Sequence, residues 1–546
     1  MAERDLKRGS RGSMVSRREL LRVGTLLLPT YAVAPTFFAG VAHAATVSSG
    51  GFDFYISTTG NDSNAGTLAS PWAITAINTK QSAYAGKRLG IIAGTYDVSG
   101  LMTVNEGLAL NINGGASSAA QTYIGSCDTS GNYSLGVSTL DAKGASGVYG
   151  GGNSNQSGIV GQQFEYGTIP SNKGNWTLDG LVFTGFSNWA VWVGGYDGTG
   201  GNCPNVTIQN CLFTGGSAAS TNGTTGRNLA PLVLYSYNNC LVQNCKWLNN
   251  AGASDNEHFT AIYIWGQGGG STGATIQNCS MINSGGIYVK TDNGSVTGTL
   301  IQRCYFDQSA KTPSGGQVQG IMGCSQPTGY GISTTVRNNI VYGGSLADCT
   351  EQLILGGYDC MHDTFNFYNN TWIAGPAFPS QGGFGIRMFT QSANAGLLNC
   401  YNNLIYDPSN VITSSYGYMD ATADGFNVLD YNIYGTGNLF NSRAAGDDVA
   451  GTSKTLATWK SATGKEAHSI ASGSNPFTSA GTSLPALAYQ VASGSPAYQA
   501  GRVGGVSTGA VCNIGAWDGT VTQIGSSLVT GSTGSNIPQA PVLSVS

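Results

Sequence analysis

The chain has 546 residues, enough for several ordinary domains or for one long repeat array. Only 10% of its residues are charged and 82 are glycine, but 10% are aromatic and short Val, Ile and Leu runs recur, which argues against disorder and indicates a turn-rich β protein. The formal net charge of -4 gives no electrostatic case for binding nucleic acid.

An export signal is predicted over residues 1–44. Ser16-Arg-Arg-Glu-Leu-Leu21 resembles the twin-arginine motif, and a mostly apolar stretch from Val23 to Val41 and an Ala-His-Ala segment follow it. A retained membrane anchor is the alternative, but Pro29 and Pro35 interrupt the stretch, and no later segment is apolar enough to span a bilayer. We expect a periplasmic or secreted mature protein that has no membrane contact after the signal is removed.

A short strand followed by an Asn-rich step recurs along the middle of the chain. In two successive steps, 34 residues separate Cys211 from Cys245 and Cys245 from Cys279, and self-similarity at such a period predicts a stacked array. The copies are Trp176–Phe183, Thr207-Ile-Gln-Asn-Cys-Leu-Phe213, Leu241-Val-Gln-Asn-Cys-Lys-Trp247, Thr275-Ile-Gln-Asn-Cys-Ser-Met281, Leu300-Ile-Gln-Arg-Cys-Tyr-Phe306, Val336–Val341, Phe367–Trp372 and Cys400–Ile405.

Each repeat holds two or three short alternating strands separated by Gly, Asn and Ser, without a helical pattern. Coils of a parallel β-helix fit this pattern, because each strand then pairs with its counterpart one coil away and Asn side chains stack at the turns. About eight coils are expected between Trp176 and Tyr434. The predicted organisation is an N-terminal cap with the first coils over 45–175, coils over 176–440, an irregular closing region over 441–525 and a flexible tail over 526–546.

Both ends of the array resemble the pectate-lyase-like right-handed parallel β-helix superfamily. Phe54-Tyr-Ile-Ser-Thr-Thr-Gly-Asn-Asp-Ser-Asn-Ala-Gly-Thr67 with Ser70-Pro-Trp72 looks like its entry segment, and Gly86–Tyr96 is similar to the strand that follows. Gly494–Gly501 and Cys512-Asn-Ile-Gly-Ala-Trp517 resemble its closing segment. The resemblance implies the fold but not the reaction, because the superfamily holds polysaccharide lyases, glycoside hydrolases, epimerases and proteins without known catalysis.

Four of the twelve cysteines occupy equivalent repeat positions: Cys211, Cys245, Cys279 and Cys304. We expect them to form an inward-facing ladder of buried thiols, because folding before export takes place in a reducing cytoplasm. Cys203 with Cys211, or Cys349 with Cys360, could still pair after export. No Cys-x-x-Cys pair or compact Cys/His cluster points to a metal site.

A second strand aligns within the coils, with apolar residues at its first and third positions. The copies are Val191–Gly194, Ile262–Trp265, Ile287–Lys290, Leu353–Gly356, Ile386–Phe389 and Gly417–Asp420. The two-residue period of a strand turns the second and fourth positions outward. The outward residues are Trp192, Tyr263, Trp265, Tyr288, Lys290, Arg387, Phe389, Tyr418 and Asp420.

This outward row is predicted to bind a polysaccharide, with its aromatic side chains and Tyr358 as subsites, because the apolar faces of sugar rings stack on Trp and Tyr while hydroxyls find polar partners. The alternative is that a long loop covers the aromatic side chains and makes them a secondary core. The pattern favours an open groove over that alternative.

Lys290 is the predicted base for β-elimination on a uronic-acid-containing glycan, with Tyr288 and Asp292 beside it. Arg387 could hold a substrate carboxylate at another subsite. The resemblance implies a Lys or Arg base in β-helix lyases, which supports the role of Lys290, although no family motif around it matches. Lys290 could instead be a solubilising surface lysine, and Asp292-Asn-Gly could be a simple turn.

Hydrolysis by a carboxylate pair is the second interpretation, with Asp255, Glu257 and His258 on a turn and Asp292, Asp359, Asp363 and Asp420 at strand ends. His258 could equally be structural. Tyr358–Asp363 could bind Ca²⁺ through carboxylates, although it lacks an acidic run of the Ca²⁺-loop type. The overall prediction is an exported polysaccharide lyase, with a glycoside hydrolase and a non-catalytic glycan-binding protein as alternatives; no oligomer and no certain cofactor are predicted.

Overall fold

Successive coils of the described chain contribute strands to three long parallel sheets, as the repeat pattern predicted. The computed structural model describes residues 51–101, 108–143, 158–161, 174–186, 189–194, 203–218, 230–235, 237–252, 260–266, 270–291, 294–307, 320–324, 330–342, 364–373, 384–387, 398–407, 415–420, 426–436, 440–443, 453–478 and 489–528. Residues 1–44 and the end of the predicted tail lie outside this part of the chain.

The first sheet runs the length of the array, and its strands follow one another in chain order, which is the topology of a coil rather than of a sandwich. Its twelve described strands are Phe54–Ile56, Arg88–Ile92, Thr122–Cys127, Trp176–Asp179, Cys203–Gln209, Tyr237–Gln243, Ser271–Gln277, Val296–Gln302, Ile332–Arg337, Thr364–Tyr368, Leu398–Tyr401 and Phe426–Asp430.

The second sheet follows the first after a two-residue turn in most coils. Its twelve described strands are Gly94–Asp97, Ser138–Asp141, Leu181–Thr184, Leu212–Thr214, Lys246–Leu248, Ser280–Ile282, Tyr305–Asp307, Ile340–Tyr342, Thr371–Ile373, Leu404–Tyr406, Ile433–Tyr434 and Ile470–Ala471. The third sheet holds Leu108–Asn111, Gly158–Gly161, Val191–Val193, Leu232–Leu234, Ile262–Gly266, Ile287–Thr291 and Ile321–Cys324.

Smaller elements complete the described fold. A four-stranded sheet holds Phe384–Arg387, Ser415–Asp420, Phe440–Arg443 and the antiparallel Ser453–Lys454. Two strand pairs are Ser217–Ala218 with Ala251–Gly252 and Gly501–Arg502 with Val511–Cys512. The helices are Ala76–Thr79, Gln81–Tyr84 and Leu456–Thr463, with 3₁₀ turns at Ser99–Leu101 and Val503–Gly505. No described helix is long and apolar enough to cross a bilayer.

The Asn-rich step is the turn between the first and second sheets, where one residue per coil has a positive φ. Asn tolerates this left-handed conformation better than other residues that carry a Cβ, and its amide can bond to the next coil. The Asn244 amide, for example, donates to Asn210 Oδ1 at 2.6 Å. The residues with φ of 51–71° at this position are Gly180, Asn210, Asn244, Asn278, Arg303, Asn338, Asn369, Asn402 and Tyr431.

The residue after this turn points inward and forms one column along the core. In the middle coils it is cysteine, and the predicted ladder of Cys211, Cys245, Cys279 and Cys304 is confirmed: all four are buried and free. Burial raises the pKa of the Cys245 and Cys304 thiols. Cys203 is also free, so the alternative pairing with Cys211 is not formed, while Cys349 and Cys360 lie outside the described residues.

In the later coils the same column continues as asparagine: Asn339, Asn370, Asn403 and Asn432. Each Oδ1 accepts the backbone N–H one coil earlier, for example Asn403 Oδ1 from Asn370 at 3.0 Å. Each Nδ2 donates to a backbone carbonyl one coil earlier, for example Asn403 to Phe367 at 3.0 Å. These amides satisfy main-chain groups that the turn leaves without a sheet partner inside an apolar core.

Glu466 ends this column as a fully buried carboxylate that accepts hydrogen bonds from Asn432, Tyr434 and Ser469. Burial raises the pKa of Glu466 to about 7, although the three donors lower it. Between pH 4.5 and pH 7, Glu466 therefore keeps its proton in the folded chain. In the unfolded chain, where the carboxyl pKa is near 4.5, it has lost this proton.

The Glu466→Gln variant is expected to lose one component of the pH dependence of stability. Because the folded pKa is the higher one, the wild-type free energy of unfolding falls as pH rises from about 4.5 to 7, by roughly 3 kcal/mol from this group. Urea unfolding of both proteins at pH 5, 6, 7 and 8 measures the difference. A difference that stays constant from pH 5 to pH 8 would contradict this role for Glu466.

The C-terminal segment packs back along the outer face of the second sheet. Ile514, Ala516 and Trp517 join strand residues such as Ile340 and Leu404 in one apolar cluster. The segment reaches as far back as Asn244, whose Oδ1 accepts the N–H of Ser527 at 2.8 Å. The predicted right-handed parallel β-helix with an irregular C-terminal region is therefore the observed fold.

Candidate functional site

The third sheet alternates as predicted between two apolar layers. The first and third positions, such as Ile262 and Ile264, lie in the main core inside the coils. The second positions lie in a separate cluster on the outer face, and the strands that carry Tyr263 and Tyr288 pair in register. We call this set the outer aromatic cluster; it comprises Trp189, Trp192, Ala230, Val233, Tyr235, Tyr263 and Tyr288, with Trp265 packed against it.

The outer aromatic cluster is closed rather than an open groove at three of the predicted subsites. Trp192 is 6% exposed, Tyr263 1% and Tyr288 2%. At these positions the structure has the secondary core that was the alternative to a groove. The physical reason is that the coil spacing of about 4.8 Å brings the rings of successive coils into contact, while Trp189, Ala230 and Tyr235 pack against them in the same cluster.

Ring contacts run through the cluster from coil to coil. Tyr263 stacks on Tyr288 with centroids 5.2 Å apart, and Trp192 lies 5.1 Å from Tyr235. Tyr235 meets Trp265 edge to face at 4.8 Å. These contacts stiffen the outer face beside the fourth strand position, where the chemistry was predicted.

Lys290 and Trp265 occupy that fourth position on neighbouring coils and are both only partly buried. Lys290 Nζ lies 5.7 Å from the centroid of the Trp265 ring, a cation–π contact. No ion pair or hydrogen bond of the Lys290 amine is found in the described structure. The buried Trp265 indole N–H likewise has no acceptor there. A partly exposed amine and an unsatisfied donor therefore lie side by side at the edge of a rigid aromatic layer.

The other predicted site residues are not brought together by the described structure. Arg387 and Tyr418 are paired in register on neighbouring strands of the four-stranded sheet, and Asp420 pairs with Arg443. Their side chains are outside the description. Asp255, Glu257, His258, Asp292, Tyr358, Asp359, Asp363 and Phe389 lie outside the described residues.

Four strands of the third sheet are not among the predicted copies: Leu108–Asn111, Gly158–Gly161, Leu232–Leu234 and Ile321–Cys324. Val233 and Met322 therefore share the second-position column with Tyr263, and Tyr235 precedes Trp265 at the fourth position. The strand Leu232–Leu234 could have been predicted from the run Pro231-Leu-Val-Leu-Tyr235. This run has the same apolar alternation and stands one strand before a repeat copy.

A metal site is not assembled by the described residues, which contain no group of three or more His, Cys, Asp and Glu side chains. The Tyr358–Asp363 stretch, which could bind Ca²⁺, is outside them. Beside the closed cluster, Lys290 and Trp265 remain partly exposed at the fourth position.

These features define a parallel β-helix protein with an amine-bearing aromatic face on one sheet. No protein-family model matches the chain, and neither does any curated protein. Among solved structures, it is similar to a rhamnogalacturonan lyase, with 13% identity and a TM-score of 0.44 over 78% of this chain and 90% of the other.

Two further solved structures are similar at a lower level. The mannuronan C-5 epimerase AlgE6 A-module of Azotobacter vinelandii has 12% identity and a TM-score of 0.35 over 73% of this chain and 93% of that one. A PL6 family polysaccharide lyase from Pseudopedobacter saltans has 14% identity and a TM-score of 0.30 over 73% and 97%. Identities and TM-scores of this size do not allow an activity to be carried over from these proteins to this chain.

Proposed function

We propose that this protein is an exported carbohydrate-active enzyme that cleaves a uronic-acid-containing polysaccharide by β-elimination on the outer face of the third sheet, with Lys290 as the base. The observation that carries the proposal is the Lys290 amine, which is partly buried, has no described ion pair and lies against the Trp265 ring.

The proposed reaction breaks the glycosidic bond without water. The unprotonated Lys290 amine removes the proton from C5 of the uronate ring, and that electron pair forms the C4–C5 double bond. The bond between C4 and the glycosidic oxygen breaks, and the leaving oxygen takes the proton that the Lys290 amine removed, which regenerates the base. The rigid aromatic layer holds the base in position for this step. Proton transfer by a positioned base contributes roughly 10²- to 10⁴-fold to the rate.

Trp265 is the proposed contact for the sugar beside the base. It keeps part of its surface exposed, so that the exposed part of its ring can pack against the apolar face of a sugar. Tyr263 and Tyr288 stack on each other, and we propose that this stacked pair supports the position of Trp265. Arg387 is proposed to hold a substrate carboxylate at a separate subsite.

A polysaccharide panel tests the proposal. The mature protein is incubated with acidic and neutral polysaccharides, and both ultraviolet absorbance of unsaturated products and reducing ends are followed. Absorbance that rises together with reducing ends is the expected result. Reducing ends without absorbance would overturn the elimination step in favour of a hydrolase, and binding without either signal would favour a non-catalytic glycan-binding protein.

A further inference from the structure

A row of glutamine side chains follows the outer face of the first sheet, one per coil, just before the turn. Each amide donates to the side-chain oxygen one coil earlier: Gln243 to Gln209 at 2.9 Å, Gln277 to Gln243 at 3.1 Å and Gln302 to Gln277 at 2.9 Å. The amide dipoles of this row therefore all point in the same direction along the helix axis.

Charged residues occupy both ends of the glutamine row. At the N-terminal end, Gln209 donates to the carboxylate of Asp179 at 2.6 Å, and Tyr123, Tyr133 and Asn210 donate to it as well. A carboxylate can only accept and a guanidinium can only donate, so Asp179 and an arginine are suited to opposite ends of the row. At the other end, Arg337 Nε donates to Gln302 Oε1 at 2.9 Å.

The two ends differ in how their charge is balanced. Asp179 is buried and accepts from four donors, whereas Arg337 is joined by a second cation, Arg303, one coil away. Arg303 stands at the turn position that is Asn in the preceding coils, and its Nη2 donates to Gln277 Oε1 at 2.9 Å. Burial and the neighbouring Arg337 lower the pKa of Arg303.

Neither arginine has a carboxylate partner in the described structure. Asp518 of the C-terminal segment bonds to the turn after Arg337, where it accepts from Asn338 at 3.0 Å, and it also accepts from Thr520. Both arginine side chains are partly exposed. Arg303 Nε is buried without an acceptor in the described structure, and no described carboxylate balances the two guanidinium groups, which is the arrangement that recognises an anion.

Tyrosine hydroxyls continue the same column beyond Arg337. Arg337 Nη1 donates to the Tyr368 hydroxyl at 3.3 Å, and the Tyr368 ring stacks on the Tyr401 ring with centroids 4.9 Å apart and planes 2° apart. Both tyrosines are partly exposed on the outer face of the first sheet. The column thus offers cations followed by hydroxyl groups, at a spacing of one coil, about 4.8 Å.

We propose that Arg303 and Arg337 bind a carboxylate of an acidic polysaccharide that lies along the outer face of the first sheet, with the Tyr368 and Tyr401 hydroxyls contacting the next sugar. The spacing of the coils is close to the length of one sugar unit in an extended chain, so successive coils can meet successive units. This surface is separate from the Lys290 face. It rests on the proposed function only in the choice of ligand.

The repeat itself supplies a variant that removes the charge and keeps the structure. In the double variant Arg303→Asn with Arg337→Gln, position 337 keeps a donor for Gln302 Oε1, as glutamine does in three earlier coils, and position 303 regains the asparagine of those turns. The variant is therefore expected to melt at the wild-type temperature. A control double variant, Lys80→Gln with Lys87→Gln, removes the same charge from the N-terminal end.

Binding is measured by isothermal titration with polygalacturonate, alginate and neutral dextran, in a Lys290→Met background that prevents turnover. We expect the arginine double variant to bind at least one of the two acidic polymers at least about tenfold more weakly than its parent, because each charged hydrogen bond contributes about that factor. The lysine control should match the parent, and added salt should weaken only binding through the arginines.

Equal affinity of the parent and the arginine double variant for both acidic polymers would overturn this proposal, as would equal weakening by the lysine control, which would reveal general charge attraction. Absence of binding to either acidic polymer would also overturn it. Because the titration records binding and not cleavage, it still tests the arginine proposal if the proposed Lys290 reaction is wrong.

Discussion

Replacing Lys290 with alanine is expected to lower the turnover of a cleaved polyuronate by about 10²- to 10⁴-fold, while the protein stays folded. This change removes the proposed base from the third sheet. It breaks no described hydrogen bond or ion pair, because Lys290 makes none in the described structure. The measurement is the initial rate of absorbance increase at saturating substrate, compared with the melting temperature of the same preparation.

Three controls separate catalysis from packing. Lys246→Ala removes a partly buried lysine from the second sheet and is expected to leave turnover unchanged. Lys290→Met retains an unbranched side chain against Trp265 but is expected to be as inactive as the alanine variant. Small amines added to the Lys290→Ala protein should restore part of the rate, and full activity in either Lys290 variant would rule out this residue as the base.

Replacing Asn403 with alanine is expected to cost about 4 kcal/mol in the free energy of unfolding, since several buried groups lose partners that contribute 1–3 kcal/mol each. The Asn403 side chain is 1% exposed. It accepts from the backbone and side chain of Asn370 and donates to the Phe367 carbonyl and to Asn432 Oδ1. Urea unfolding measures the loss, and hydrogen exchange of the Asn370 amide reports it locally.

Asn427→Ala is the matched control for this column. Asn427 is exposed, and its Nδ2 donates to Asn399 Oδ1 at 3.1 Å on the outer face of the first sheet. Because water replaces the lost partner there, the expected cost is about 0.5 kcal/mol or less. Similar losses for the two variants would contradict the argument that the inner column satisfies buried main-chain groups.

Much of the fold was predictable because the coil repeats a local rule. Asn at a left-handed turn and cysteine just after it recur in the sequence, and both have the places that the pattern predicted. The predicted count of about eight coils from Trp176 fell short of the nine observed strands of the first sheet. The missed strand, Phe426–Asp430, ends in a turn where Tyr431 replaces asparagine, so the sequence signal is absent there.

The candidate site was less predictable, because strand alternation gives the direction of a side chain and not what covers it. The outward direction of Tyr263 and Tyr288 is confirmed, but their burial arises from contacts between coils and from chain that is distant in sequence. The amine of Lys290 escapes that burial because it stands at the edge of the layer, at the fourth position. The roles of Asp292, Glu257 and His258 stay predictions.

Cleavage in water enriched in ¹⁸O tests the central claim most directly, since elimination and hydrolysis differ in whether water enters the product. Mass spectrometry of the oligosaccharides released by the mature wild-type protein is expected to show an unsaturated end and no ¹⁸O incorporated by cleavage. Products that carry one ¹⁸O for each bond cleaved, without unsaturation, would contradict β-elimination and direct attention to the carboxylates.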